Sequence, residues 1–335
     1  MFTFALARAG GVSLYTDHGI ALAGYVVELA SKTRYEDAVM QGVMRPLGMN
    51  HTCYTATVPE EQRTNLAVAY SYEGTDYKPI PFLYSSIEPA VGVLTTGNDM
   101  ARLMICHLSG CKGFLKPQTA ALMHQPQYAD DARLGFQWTC GFDYESYPRE
   151  KEPCLFHPGG AYGFQSELGI SLEHGIGVFV AQNLPGPPVL GLTDILDAPS
   201  NGVATTEIAK PAQPSVATNV GIADVKSLAG TYVLDRNLSR GVKIPKEDYV
   251  YVRYVDDIKG IEVEYEYSQT RNHPMRYVQI APNLFKSVND DERVAFRTSK
   301  DGNRTYLIDY HMRGDGAFRR VSRSDQPTVR NAQPN

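Results

Sequence analysis

The chain has 335 residues, 43% of them apolar and 21% charged, and a formal net charge of −5. That length predicts two domains, by the rough rule of 100–200 residues each, and each is long enough to bury a core. The mild negative charge gives no electrostatic reason to expect a nucleic-acid partner or an anionic membrane, and no apolar run approaches the roughly 20 residues of a bilayer span. The apolar run from Met1 is too short before Arg8 to read as a signal peptide. The five cysteines (Cys53, Cys106, Cys111, Cys140 and Cys154) include no Cys-x-x-Cys pair. A disulfide framework or zinc site is therefore not expected, with room left for one bridge, and no cofactor is called for.

The first readable element starts after Leu14-Tyr-Thr-Asp17. Apolar residues at 22, 25, 26 and 29 predict one face of a helix, with Thr16 or Asp17 as its N-cap. Tyr15 then stands just ahead of a helix N-terminus, where the dipole favours negative charge and a phenol could sit nearer to phenolate than usual. Tyr35 to Met44 reads as a second helix, stopped by Pro46. From Thr57 to Pro89 no period is visible, which predicts a long functional loop or lid. Gly92 to Leu108 supplies a glycine, a cap signal and a helix with positions 100, 103, 104 and 108 facing a core. His107 reads as a helix-end histidine rather than a ligand. Lys116 to His124 is a further short helix, and Leu134 to Tyr144, with Trp138, reads as one strand.

The stretch Leu155 to Gly169 carries the working edge. It presents His157, then Pro158, then Gly159 and Gly160, and resumes as an alternating strand, followed by another over 175–182. Without Cβ atoms, Gly159 and Gly160 let a ligand approach the backbone, whose N–H groups can face an anion. Pro158 cannot donate to a ladder, which predicts an edge strand beside a cleft. Taken alone, this is more often the pattern of a hairpin beginning with a satisfied histidine.

Pro188 to Ala198 predicts a last helix of this domain. Residues 199–223 are rich in Ala, Thr, Pro and Ser and read as a linker. Beyond them, six short β runs separated by turn signals, from Gly230 to Tyr310, predict a small antiparallel barrel or sandwich over 224–323. Its tyrosines would suit a binding face, though tyrosine is also a good strand residue. The tail, 324–335, is expected to be disordered.

Four stretches together resemble the penicillin-recognising serine hydrolases, in the branch of class C β-lactamases, D-aminopeptidases, DD-peptidases and β-lactamase-like esterases. Tyr15-Thr-Asp17 looks like the family's Tyr-x-Asn segment. Arg45-Pro-Leu-Gly-Met-Asn-His-Thr52 looks like its Pro-Leu-Gly-Met-x-x-Thr. Pro89 to Arg102 looks like Pro-Ala-Gly-Gly-Leu-x-Ser-Thr-x-x-Asp-Met-Ala-Arg, and His157-Pro-Gly159 fills the place of the Lys-Thr-Gly or His-x-Gly strand. The match spans about residues 10 to 185. It implies an α+β fold, with an incomplete β-lactamase/transpeptidase-like domain (1–198, an antiparallel sheet with helices) ahead of the barrel.

The chemistry the resemblance implies is acyl transfer through a serine ester, on a peptide, β-lactam or ester. Tyr15 would be the base toward the serine and then the acid for the leaving group. His157 would hold the proton network and orient a substrate carboxylate, in one cleft with Tyr15. Gly160 N–H would be an oxyanion donor, beside Gly159. Asp17, where asparagine is commoner, would favour cationic groups. The family's Ser-x-x-Lys nucleophile motif is not among the fourteen residues ahead of Tyr15, so a truncated form without its nucleophile is expected. Ser109-Gly-Cys-Lys112 lies downstream, at a helix end, and reads as chance. The alternatives are a non-catalytic pseudoenzyme binding a peptide or acyl ligand, and a rerouted hydrolase using Ser13 or Ser166.

Overall fold

The computed structural model describes residues 13, 15–74, 76–145, 154–184, 224–234, 249–266, 273–290, 292–299, 302–309 and 317–321. The expected helix at 188–198, the linker and the tail lie outside these residues. The described residues fall into two compact units. One holds residues 16–128 and 137–184, and the other holds Ser13, Tyr15, residues 129–136 and everything from Asp224 on.

In the first of these units, helix α1 (Asp17–Ser31) begins at Thr16, whose extended backbone caps it without a side-chain bond, and ends at Lys32 in the left-handed region. Only Gly24 is buried, because α1 rests there on Pro89: a Cβ at Gly24 would lie 2.4 Å from Pro89 Cγ. The apolar face read from positions 22, 25, 26 and 29 is in water, with Leu22 63% and Leu29 62% exposed. Periodicity identified the helix correctly, but among the described residues that face has no cover.

Helix α2 (Tyr35–Val39) widens into a π turn over Met40–Met44. Strand β1 (Cys53–Tyr54) follows, then α3 (Glu60–Arg63) and a hairpin of β2 (Ala69–Glu73) and β3 (Asp76–Ile80). The region expected to be a structureless loop is therefore ordered. Tyr72 and Tyr77 are themselves exposed, so no alternation of buried apolar with exposed polar residues marks these strands. Strand β4 (Val93–Leu94) pairs with β1, and α4 (Gly97–Leu108) starts under a cap in which Thr96 Oγ1 accepts from Asp99 N. Asp99, wholly buried, accepts from His51 N and Thr52 Oγ1, each at 2.8 Å. Two stretches separated in sequence are thus joined through one carboxylate. Helix α5 (Pro117–His124) follows.

Five consecutive antiparallel strands then form the sheet: β5 (Phe136–Trp138), β6 (Asp143–Glu145), β7 (Cys154–Ala161), β8 (Phe164–Ser171) and β9 (Ile176–Gln182). The single strand expected over 134–144 is two, broken by a turn at Gly141, whose φ is 98°. Helix α4 packs on β8 and β9, with Met104 meeting Leu155, Leu168 and Ile170. Gly177 admits it: a Cβ there would come within 2.9 Å of Met104 Sδ.

The other unit is built on a closed eight-stranded antiparallel barrel. Its strands are β10 (Gly230–Leu234), β11 (Tyr249–Val255), β12 (Gly260–Tyr265), β13 (Met275–Ala281), β14 (Leu284–Ser287), β15 (Arg293–Thr298), β16 (Thr305–Ile308) and β17 (Ala317–Arg320). Pairing of β10 with β17 closes it and leaves no sheet edge. Tyr232, Tyr265 and Tyr277 lie in its core with Phe285 and Phe296. Those tyrosines pack inside rather than forming an exposed binding face, and two of the buried hydroxyls donate within the unit: Tyr232 to Leu228 O at 2.7 Å and Tyr265 to the buried Asp309.

Candidate active site

Strand β7 is the element to build from. It pairs with β8 along Leu155–Ala161, and its partner on the other side, β6, reaches only Cys154–Phe156. The edge strand expected from Pro158 is therefore an edge over half its length. Among the described residues, 157–161 pair on one side only, and the proline sits where no second ladder needs its missing N–H. The hairpin to β8 closes through Tyr162 (φ 52°) and Gly163 (φ 85°), a two-residue loop with both φ values positive, between the paired Ala161 and Phe164.

His157, Gly159 and Gly160 thus come together on the half-open stretch. His157 is exposed, yet desolvation by the surrounding strands lowers its imidazole pKa, against a backbone hydrogen bond at Pro158 that raises it. Proline has no N–H, so that partner is its carbonyl. Water at the ring limits the shift, but its direction leaves the ring neutral at pH 7 and able both to donate and to accept. A Cβ on Gly159 would lie 2.8 Å from Ser166 Oγ, and one on Gly160 would lie 2.6 Å from Gln165 Oε1. The side chains of β8 therefore lie across the glycines. Sequence reasoning missed Gln165. Its signal is the register, which sets it opposite Gly160 once the two-residue turn is recognised.

Tyr15 stands exposed two residues ahead of α1, and Asp17 is the first residue of that helix. Tyr15 belongs to the unit that contains the barrel, whereas Asp17, His157, Gly159 and Gly160 belong to the other. Ser13 is also in the barrel's unit, and its Oγ donates to Asp130 Oδ2 at 2.5 Å.

Ser109 caps the C-terminus of α4, where its Oγ donates to Cys106 O at 2.9 Å. That end of a helix carries partial negative charge, the wrong sign for an oxyanion. Cys106 and Cys111 form a disulfide around it, which is the one bridge the composition left room for. Next to it, His107 is buried against His124, Nδ1 to Nε2 at 2.9 Å, with Phe142 edge-on to the ring. Burial first, and then the second ring, push the His107 pKa down to about 4; burial lowers that of His124 as well. Spacing does not reveal this pair, since the two rings are 17 residues apart.

A model of the Beta-lactamase family matches residues 5–198. Penicillin-binding protein 4 of Amycolatopsis lactamdurans is 30% identical over 234 residues, a match covering 65% of this chain and 58% of that protein. The chain therefore spans less than two thirds of that relative's length. Among solved structures, the octameric penicillin-binding protein homologue from Pyrococcus abyssi is similar over 94% of this chain and 66% of its own, at 17% identity and a TM-score of 0.49. A β-lactamase/D-alanine carboxypeptidase from Pseudomonas syringae is similar over 53% of this chain and 56% of its own, at 16% identity and a TM-score of 0.46.

Proposed function

The chain belongs to the Beta-lactamase family, and from that premise we propose that its site residues serve serine acyl transfer on a peptide, β-lactam or ester. Tyr15 takes the proton from the attacking hydroxyl and returns it to the leaving group. His157 keeps that proton in place through a neutral ring and meets a substrate carboxylate. Gly160 N–H faces the developing oxyanion, Gly159 gives close approach, and Asp17 prefers a cationic group. The observation that carries this reading is the one-sided stretch 157–161, which offers a substrate both a backbone edge and a histidine.

The nucleophile has to come from a Ser-x-x-Lys ahead of Tyr15, and none stands among residues 1–14 of this sequence. Losing one oxyanion donor costs on the order of 10²–10³ in rate, and losing the serine as well leaves nothing above background. The 335-residue polypeptide is accordingly expected to take no label from a fluorophosphonate or a fluorescent penicillin, and to leave nitrocefin and p-nitrophenyl butyrate intact. A longer polypeptide carrying a Ser-x-x-Lys segment ahead of Met1 is expected to label, and Tyr15→Phe in it to abolish turnover. Stoichiometric labelling of the 335-residue chain at Ser109 would overturn the reading. A second reading is a pseudoenzyme that binds a peptide or acyl ligand in the cleft without reacting. Saturable, reversible penicillin binding with no covalent adduct would support it.

A further inference from the structure

Asp130 is a carboxylate engaged by residues from two distant parts of the chain. Its side chain is fully buried. From one side, Ser13 donates to it through its backbone N–H, at 3.0 Å to Oδ1 and 3.2 Å to Oδ2, and through Oγ at 2.5 Å to Oδ2. From the other, Arg297 on β15 reaches Oδ1 at 3.4 Å and the Asp130 carbonyl at 3.3 Å. The neighbouring turn is fastened to the same barrel. Arg133, whose guanidinium grips Asp131, donates through Nη1 to Pro282 O at 3.0 Å, in the connection from β13 to β14. All of these residues, with Tyr15, belong to one compact unit.

We propose that Asp130 and Arg297 are positioning residues for Tyr15, which makes a strand of the barrel the anchor of the segment that carries this phenol. This rests on the reading of Tyr15 as the base. The physical argument is short. A segment that leads into a helix keeps a fixed phenol only if the backbone just before it is held, and Ser13 is two residues ahead of Tyr15. A buried carboxylate that accepts from both the N–H and the hydroxyl of one residue fixes that residue's backbone and rotamer together. Arg297 stands beside that buried carboxylate at 3.4 Å and offsets its charge. The constraint on Tyr15 therefore originates on β15, which lies 282 residues away along the chain (297 − 15).

The test needs no turnover, so it is independent of whether Tyr15 proves to be the base. In the full chain, hydrogen exchange at the Ser13 amide is compared for the native protein, Asp130→Ala, Arg297→Ala and Arg297→Lys. Loss of a charge-assisted bond at a buried site should speed that exchange by about tenfold or more. Arg297→Ala should do so without touching Ser13, and Arg297→Lys should recover most of the protection. The ¹³Cζ resonance of Tyr15, assigned by its loss in Tyr15→Phe, should shift toward its denatured-state position in both alanine variants. Exchange within β11 should stay at the native rate, which separates lost positioning from an unfolded barrel. Unchanged Ser13 exchange in Arg297→Ala would overturn the proposal. So would faster exchange with an unmoved Tyr15 resonance, since the clamp would then hold Ser13 without placing the phenol.

Discussion

The buried histidine pair makes the unit that contains it sensitive to acid. In the unfolded chain His107 takes up a proton near pH 6.5, whereas in the fold burial and then the His124 ring push its pKa down to about 4. A depressed folded value means that the unfolded state binds the proton first. Stability is therefore fully present above the unfolded pKa and drains away as pH falls from about 6.5 toward about 4. For one group with these two values, the loss between pH 7 and pH 5 works out to about 2 kcal/mol. The protein contains a single tryptophan, Trp138, in the same sheet as Phe142's neighbour β6, so its fluorescence reports on this sheet during urea unfolding. With a urea slope of about 1–3 kcal/mol per molar, the midpoint should fall by about 1 M over that pH interval. His107→Gln keeps a polar partner for His124 but does not titrate, and should remove most of the 2 kcal/mol (about that size by the same linkage). His124→Gln should retain the His107 contribution, because burial, the larger cause, persists. If native protein and His107→Gln lose stability in parallel from pH 7 to pH 5, the acid-labile group lies elsewhere.

Gly163→Ala should destabilise the sheet's hairpin. Its φ is 85°, and the added methyl would lie 2.5 Å from Ile80 Cδ1 and 2.9 Å from Ala69 Cβ. Backbone strain and overpacking together should cost about 2–4 kcal/mol, read as a lower urea midpoint at Trp138. Thiol titration should find one fast native thiol, the exposed Cys140, with Cys53 and Cys154 reacting on unfolding and Cys106 and Cys111 only after reduction. Five thiols in urea without reductant would exclude the disulfide.

What the sequence makes legible here is whatever leaves a local trace. The alternating runs at Tyr249 and Ile261 are strands as expected, and the motif at Pro89–Arg102 ends in the capped helix α4. Strands β14 and β17 were not foreseen: Leu284-Phe-Lys-Ser287 and Ala317-Phe-Arg-Arg320 each hold two adjacent apolar residues followed by polar ones, with no alternation of period two. Helix α1 was identified from its stripe, yet a stripe says only that a face is apolar and not that something covers it. At the site, His157 and the two glycines are legible as one short word. Gln165 becomes visible only through register, and Asp130 only through contacts 117 and 167 residues away.

That last separation has a consequence for biosynthesis. Arg297 leaves the ribosome 167 residues after Asp130, and at about 5–20 residues per second the carboxylate waits roughly 10–30 s for its cation. Until then it is better hydrated than enclosed, so Ser13 cannot be clamped while the chain is still being made. The earliest described residue of the protein thus reaches its place only after β15 has been made, and β10 must likewise wait for β17. A stop codon or stalled ribosome before Arg297 would leave its mark at Tyr15, at the opposite end of the chain.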